Sequence, residues 1–146
     1  MEYITGKSSN EILHIIYRGD SISEDRLEVI PRVNQLQFSP KKLHKGASFR
    51  PHYHIPKQVD LKEVIAQEAW AVIKGSIKAR YYDTDELPID SVELHAGDVS
   101  VTLSGGHTFE VLEDDTIIYE FKTGPYLGVE LDKRFLDGID PYLQTR

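Results

Sequence analysis

The chain contains no cysteine, which excludes disulfides, thiolate-held metals, iron–sulfur clusters and cysteine nucleophiles together. Any metal bound here must be held by histidine nitrogen or carboxylate oxygen. A basic excess is also missing: 17 Lys and Arg against 24 Asp and Glu leave a net charge of −7, which argues against nucleic-acid phosphates or anionic lipid as partners. No segment approaches the ~20 apolar residues of a membrane span. The stretch Met1 to Asn10 has no basic patch followed by an apolar run. These absences predict a cytoplasmic protein with neither nucleic acid nor membrane as partner. No repeat, low-complexity tract or linker divides the 146 residues, so a single domain is expected.

What is present suits a folded domain: 40% of residues are hydrophobic and 28% charged, enough of the first to build a core. The apolar signal is mostly strand-like. Ile77, Ala79 and Tyr81 alternate with Lys78, Arg80 and Tyr82, and His107, Phe109 and Val111 alternate with Thr108, Glu110 and Leu112. Val99 to Leu103 and Thr116 to Phe121 are β-branched runs of strand length. Turn signals separate them at 82–86, 96–98, 104–106, 113–115 and 123–125. Short strands punctuated in this way predict an all-β sandwich or barrel. Elsewhere the pattern is weaker. Leu13 to Tyr17 reads as a strand or part of a short helix, Ser21 to Val33 shows no clear period, and Pro56 to Gln67 reads as a polar loop with a helical turn at Asp60 to Val64. Asp132 to Leu136 suggests a helical turn before Gly138. The acidic cluster Asp83, Asp85, Glu86 and Asp90 lacks calcium-loop spacing and reads as a solvated hairpin.

Charge is unevenly placed. Residues 1–80 carry 13 Lys and Arg against 9 Asp and Glu, whereas residues 81–146 carry 4 against 15. Much of the basic excess lies near Lys41, Lys42, Lys45, Arg50 and Lys57. That is either a solvated surface or an attraction for an anionic small molecule. The same segment contains His52-Tyr53-His54. In a strand, residues two apart project to one face with Cα atoms about 6–7 Å apart, a spacing that lets two imidazoles chelate one ion.

The flanking residues add a resemblance. Gly46, five residues, then His52-x-His54, with Glu68 and Gly75 further on, is similar to the first motif of the cupin superfamily, Gly-x5-His-x-His-x3,4-Glu-x6-Gly. Gly97-x5-Leu103-Ser104-Gly105-Gly106-His107 resembles the second, Gly-x5-Pro-x-Gly-x2-His-x3-Asn. Together they span residues 46–111. Thirteen residues separate His54 from Glu68 where the family has three or four, and Gln58 stands at the nearer spacing. Glu68 is preferred because Gly75 lies seven positions beyond it and because Glu68, Trp70 and Val72 share one strand face; Gln58, Asp60 and Glu63 are the substitutes. In the second motif Leu103 replaces Pro, one residue is missing before His107, and Val111 takes the Asn position.

The resemblance implies a small double-stranded β-helix, or jelly-roll barrel, at residues 41–125, with an N-terminal extension over 1–40 and a C-terminal tail over 126–146. It further implies one divalent transition metal (Fe, Mn, Ni, Co or Zn) held by His52, His54, Glu68 and His107, with open positions for a substrate. By strand parity Arg50 is a candidate to fork onto a ligand carboxylate or phosphate, with a surface arginine beside the bend at Pro51 as the competing reading. Trp70 is either a ligand-binding wall or a core residue. His14, His44 and His95 are expected at the surface, as are Arg80 and Tyr82. The functional expectation is a metal-dependent cupin for a small polar, anionic or sugar-like metabolite, with isomerase or epimerase chemistry favoured. An iron-dependent dioxygenase and a non-catalytic binding module are the alternatives, and a homodimer is the expected assembly.

Overall fold

Alternation of β-branched and aromatic residues with polar ones sets most of the strands. The computed structural model describes residues 1–19, 26–48, 50–52, 54, 56, 64–124 and 128–136. In chain order the strands are β1 (Glu2–Thr5), β2 (Ile12–Tyr17), β3 (Glu68–Lys74), β4 (Ser76–Tyr82), β5 (Pro88–His95), β6 (Val99–Thr102), β7 (Gly106–Val111) and β8 (Ile117–Lys122), followed by the short helix α1 (Val129–Asp132). Leu13 to Tyr17 is thus strand, not helix. The helical turn expected at Asp132 to Leu136 instead ends at Asp132: the Lys133 amide closes the turn on the Val129 carbonyl, and Lys133 is extended. Gln58, Asp60, Glu63, Lys57 and the turn expected at Asp60 lie outside the described residues, as do Gly138 and the first part, Ser21 to Asp25, of the stretch from Ser21 to Val33. No helix among the described residues is long and apolar enough to cross a membrane.

All pairings are antiparallel. A five-stranded sheet runs β1-β2-β6-β3-β8 and a three-stranded sheet runs β5-β4-β7. The fold is all-β with two sheets, and among the described residues they do not close into a barrel. Between them lies a core of Ile4, Ile16, Trp70 and Val72 from the larger sheet against Ile77, Ala79, Tyr81 and Leu94 from the smaller. The larger sheet is covered on its other face too. Ile15, Tyr17, Ala69, Val99 and Val101 pack against Val29, Ile30, Leu36 and Phe38 from the irregular chain between β2 and β3. A sheet buried on both faces takes nearly continuous apolar strands, as β2 shows.

The turns carry chemistry that the sequence marks. Gly75, between β3 and β4, has φ +76°, and a Cβ there would lie 2.3 Å from Thr116 Oγ1, so only glycine fits. At the β4–β5 hairpin Asp83 is not a solvated surface acid: it is buried and accepts the backbone amides of Lys7 and Thr84, each at 2.7 Å, tying the chain after β1 to the hairpin. Arg80 and Tyr82, expected to be exposed, are 9% and 4% exposed. β4 is the central strand of its sheet, paired along both edges, so its side chains are flanked by those of β5 and β7. Arg80 pairs with Glu110 on neighbouring β7 at 2.6 Å.

Candidate functional site

One polar row interrupts the apolar interior. Cross-strand register places His14 of β2 opposite Thr102 of β6, Thr102 opposite Glu68 of β3, and Glu68 opposite Lys122 of β8. Directly paired residues share a sheet face, so these four side chains line up across the larger sheet on the face that meets the smaller one. From the other sheet, β7 sends His107 and Phe109 inward, with His107 paired to Tyr81 of β4. His14, Thr102 and Glu68 are buried at 0%, 4% and 9% exposure. Polar groups this deep require partners. His14 Nδ1 lies 3.0 Å from Thr102 Oγ1, and its ring packs against Tyr81 with centroids 4.5 Å apart and planes tilted by 41°. Glu68 Oε1 accepts the Trp70 indole N–H at 2.7 Å and the His107 Nε2–H at 3.2 Å. Lys122 Nζ donates to Asp132 Oδ2 at 2.6 Å.

Trp70 fixes this geometry. It stands two residues beyond Glu68 on the same face, and its ring meets His107 edge-on at 4.8 Å and Phe109 at 4.9 Å. Its N–H therefore orients the carboxylate while its ring holds the imidazole. Trp70 is a core residue, 5% exposed, that belongs to the site by direct contact. Two imidazole nitrogens of the cluster are left over: His107 Nδ1 and His14 Nε2 are buried and have no hydrogen-bond partner among the described residues.

Electrostatics separates the two buried acid–base groups. Burial alone would raise the Glu68 carboxyl, but the hydrogen bond and charge of His107, the Trp70 N–H and the charge of Lys133 outweigh it and hold it below the usual carboxylate range. His14 is pushed down to about 4, first by burial and then by repulsion from His107, against the opposing pull of the Tyr82 backbone and Asp83. His14 is thus a neutral imidazole at physiological pH. It was expected at the surface and is wholly buried, because β2 runs between β1 and β6 in a sheet covered on both faces. The signal that could have found it is the apolar run Ile12 to Tyr17, in which a single polar residue needs an internal partner.

The four expected metal ligands fall into two pairs. Glu68 and His107 are brought together from different sheets. His52 and His54 are exposed, with rings 5.5 Å apart, in chain outside any strand. His52 Nδ1 bonds to the Arg50 carbonyl at 2.9 Å; a carbonyl only accepts, so Nδ1 donates, and Nε2 is the nitrogen through which the neutral ring would bind a metal. Arg50 is exposed and contributes this carbonyl. No contact joins the two pairs among the described residues, nor does any group of three or more His, Cys, Asp or Glu there stand ready to hold an ion. His44 and His95 are exposed, as expected. A cleft of about 560 Å³ lined by Tyr17, Phe38, Lys41 and Gly97 opens by the far face of the larger sheet and shares no residue with the Glu68–His107 pair.

The donor chemistry at Glu68 and His107 fits a divalent transition metal. The observed Nε2–Oε1 separation is 3.2 Å. An ion there would replace the proton between them and leave Trp70 to orient the carboxylate. Compared with family models, with curated proteins and with solved structures, the chain gives no match.

Proposed function

We propose that this chain is a metal-dependent protein of the cupin type that binds or converts a small polar, anionic or sugar-like metabolite. The observation that carries the reading is the 3.2 Å meeting of Glu68 and His107, one from each sheet, at the edge of the core between them. Burying a carboxylate and an imidazole together carries a desolvation cost that an apolar pair of the same size would avoid, which points to a role beyond packing. The jelly-roll reading draws support from the crossed order of the larger sheet, in which strands distant in sequence are neighbours. His52 and His54, the former through its Nε2, are the residues proposed to complete the ligand set.

A bound ion would supply Lewis acidity towards a carbonyl or, if iron, an affinity for dioxygen. The chain's own contributions follow from the contacts described. Trp70 and Phe109 exclude water from one side of the pair, the Trp70 N–H fixes the carboxylate, and Lys133 adds a positive field beside it, Lys122 being paired with Asp132. Such a field suits an anionic ligand, and isomerase or epimerase chemistry on a polar carbonyl compound is favoured over dioxygenase chemistry. A non-catalytic module is the second reading. It is favoured by the fact that Glu68 Oε1 already accepts from both Trp70 and His107.

Elemental analysis of protein purified without a histidine tag and reconstituted with Fe²⁺, Mn²⁺, Co²⁺, Ni²⁺ or Zn²⁺ tests the metal. One ion per chain is expected, lost in Glu68→Ala and in the double variant His52→Ala with His54→Ala. Absence of stoichiometric metal in the parent, or full retention in both variants, overturns the reading. With metal bound, substrate-dependent oxygen uptake separates the dioxygenase from the isomerase.

A further inference from the structure

The C-terminal chain bridges the two sheets at the level of Glu68 and His107. Asp132, at the end of α1, is held at 2.6 Å by Lys122, the residue paired with Glu68 in the larger sheet. Four residues later, Leu136 rests on Gly106, the residue before His107 in the smaller sheet: a Cβ at Gly106 would lie 2.9 Å from Leu136 Cδ1. Between these anchors Arg134 pairs with Glu86 in the β4–β5 turn. Residues 132–136 thus form a strap fastened at three points beside the candidate site.

Lys133 rides on this strap. It is exposed, and its charge reaches Glu68. Residues 81–146 hold 4 cations among 15 acids, and of the three described, Lys122 and Arg134 are engaged by Asp132 and Glu86. Lys133 forms no ion pair among the described residues, although the surrounding chain is rich in carboxylates. It makes no hydrogen bond with Glu68, whose Oε1 is already engaged by Trp70 and His107. An unengaged ammonium on a flexible stem, fixed at its base beside a polar site, is suited to receive an oxyanion from solution.

We propose that Lys133 is the anion-recognising residue of the Glu68–His107 site, selecting a small ligand that carries a carboxylate or phosphate group, and that residues 132–136 are the strap that positions it. The proposal rests on reading the Glu68–His107 pair as a ligand site, and it does not require the metal.

The test uses metal-free full-length protein, with inorganic phosphate and acetate as probes and the His107 ring protons as the NMR readout, assigned with His107→Gln. Saturable shifts are expected in the parent. Lys133→Met should weaken the apparent affinity by about tenfold, the scale of one charge-assisted hydrogen bond. Lys133→Arg should restore it, and Lys74→Met, at the other end of β3, should leave it unchanged. Equal affinity in Lys133→Met and the parent, or an equal loss in Lys74→Met, overturns the role of Lys133 while leaving the site in place. The absence of any saturable shift at His107 with either anion overturns the proposal altogether. The metal inventory then decides the functional reading separately.

Discussion

Two pairs of potential ligands in this chain share the same chemistry and occupy opposite mechanical settings. Glu68 and His107 are fixed by strand register, by the indole of Trp70 and by an apolar core beneath them. His52 and His54 lie exposed in irregular chain, held to the rest by the bond from His52 to the Arg50 carbonyl and by their own ring contact. The first pair is preorganised whether or not a ligand is present. The second must be recruited, at an entropic cost, if it is to join the first. A site divided in this way places its affinity in the rigid half and its responsiveness in the other.

The largest loss is expected at the rigid pair. Trp70→Ala removes the ring between His107 and the core together with the N–H that orients Glu68, and should destabilise the fold by about 3–5 kcal/mol in urea unfolding. A loss below about 1 kcal/mol would mean that the rigid half is not supported by packing.

The next effect concerns His14. Its folded pKa of about 4 lies below its ordinary value of 6.5, so the unfolded chain binds the proton more readily. The stability this group contributes is complete above pH 6.5 and is lost as pH falls through 4, by about 3 kcal/mol in all. Glu68 acts in the same direction at lower pH, because its depressed carboxyl contributes stability above its unfolded value of 4.5 that is lost on further acidification. Denaturant midpoints measured across this range should fall with pH in the parent. In His14→Gln the slope between pH 6.5 and 4 should flatten; an unchanged slope would assign it to other groups.

The smallest effect sharpens the contrast itself. His107→Ala leaves Glu68 with the Trp70 N–H alone and should cost about 1–3 kcal/mol. Replacing both His52 and His54 with Ala should move stability by less than about 0.5 kcal/mol in the metal-free protein. Equal losses in the two variants would show that the pairs are mechanically alike.

Legibility in the sequence follows the same division. β3, β4, β6, β7 and β8 could be read because alternation or β-branched runs survive where one face meets the core. Glu68 could be located because Gly75 is demanded by the turn seven residues on. β5 was hidden because Pro88 to His95 mixes half-buried and exposed residues without a clean period of two, and β1 because it is only four residues long. His14, Arg80 and Tyr82 were misplaced for one reason. Their burial depends on which strands become central in each sheet, and that is fixed by partners far away in the chain. The closeness of Glu68 and His107 was implied by motif order. The hydrogen bond from Trp70 and the strap at Asp132 were not, since both depend on register.

The pairing of His14 with Thr102, 88 positions apart, has a consequence for how the protein is made. The ribosome delivers β1 and β2 first, yet β6 cannot join β2, nor β8 complete the edge beyond β3, until most of the chain has been synthesised. The β4–β5 hairpin closes locally and early, whereas the larger sheet waits with its apolar strands uncovered. Folding of this domain is therefore expected to be slow and late, and to be the step at which nascent chains are most exposed to aggregation and to chaperones.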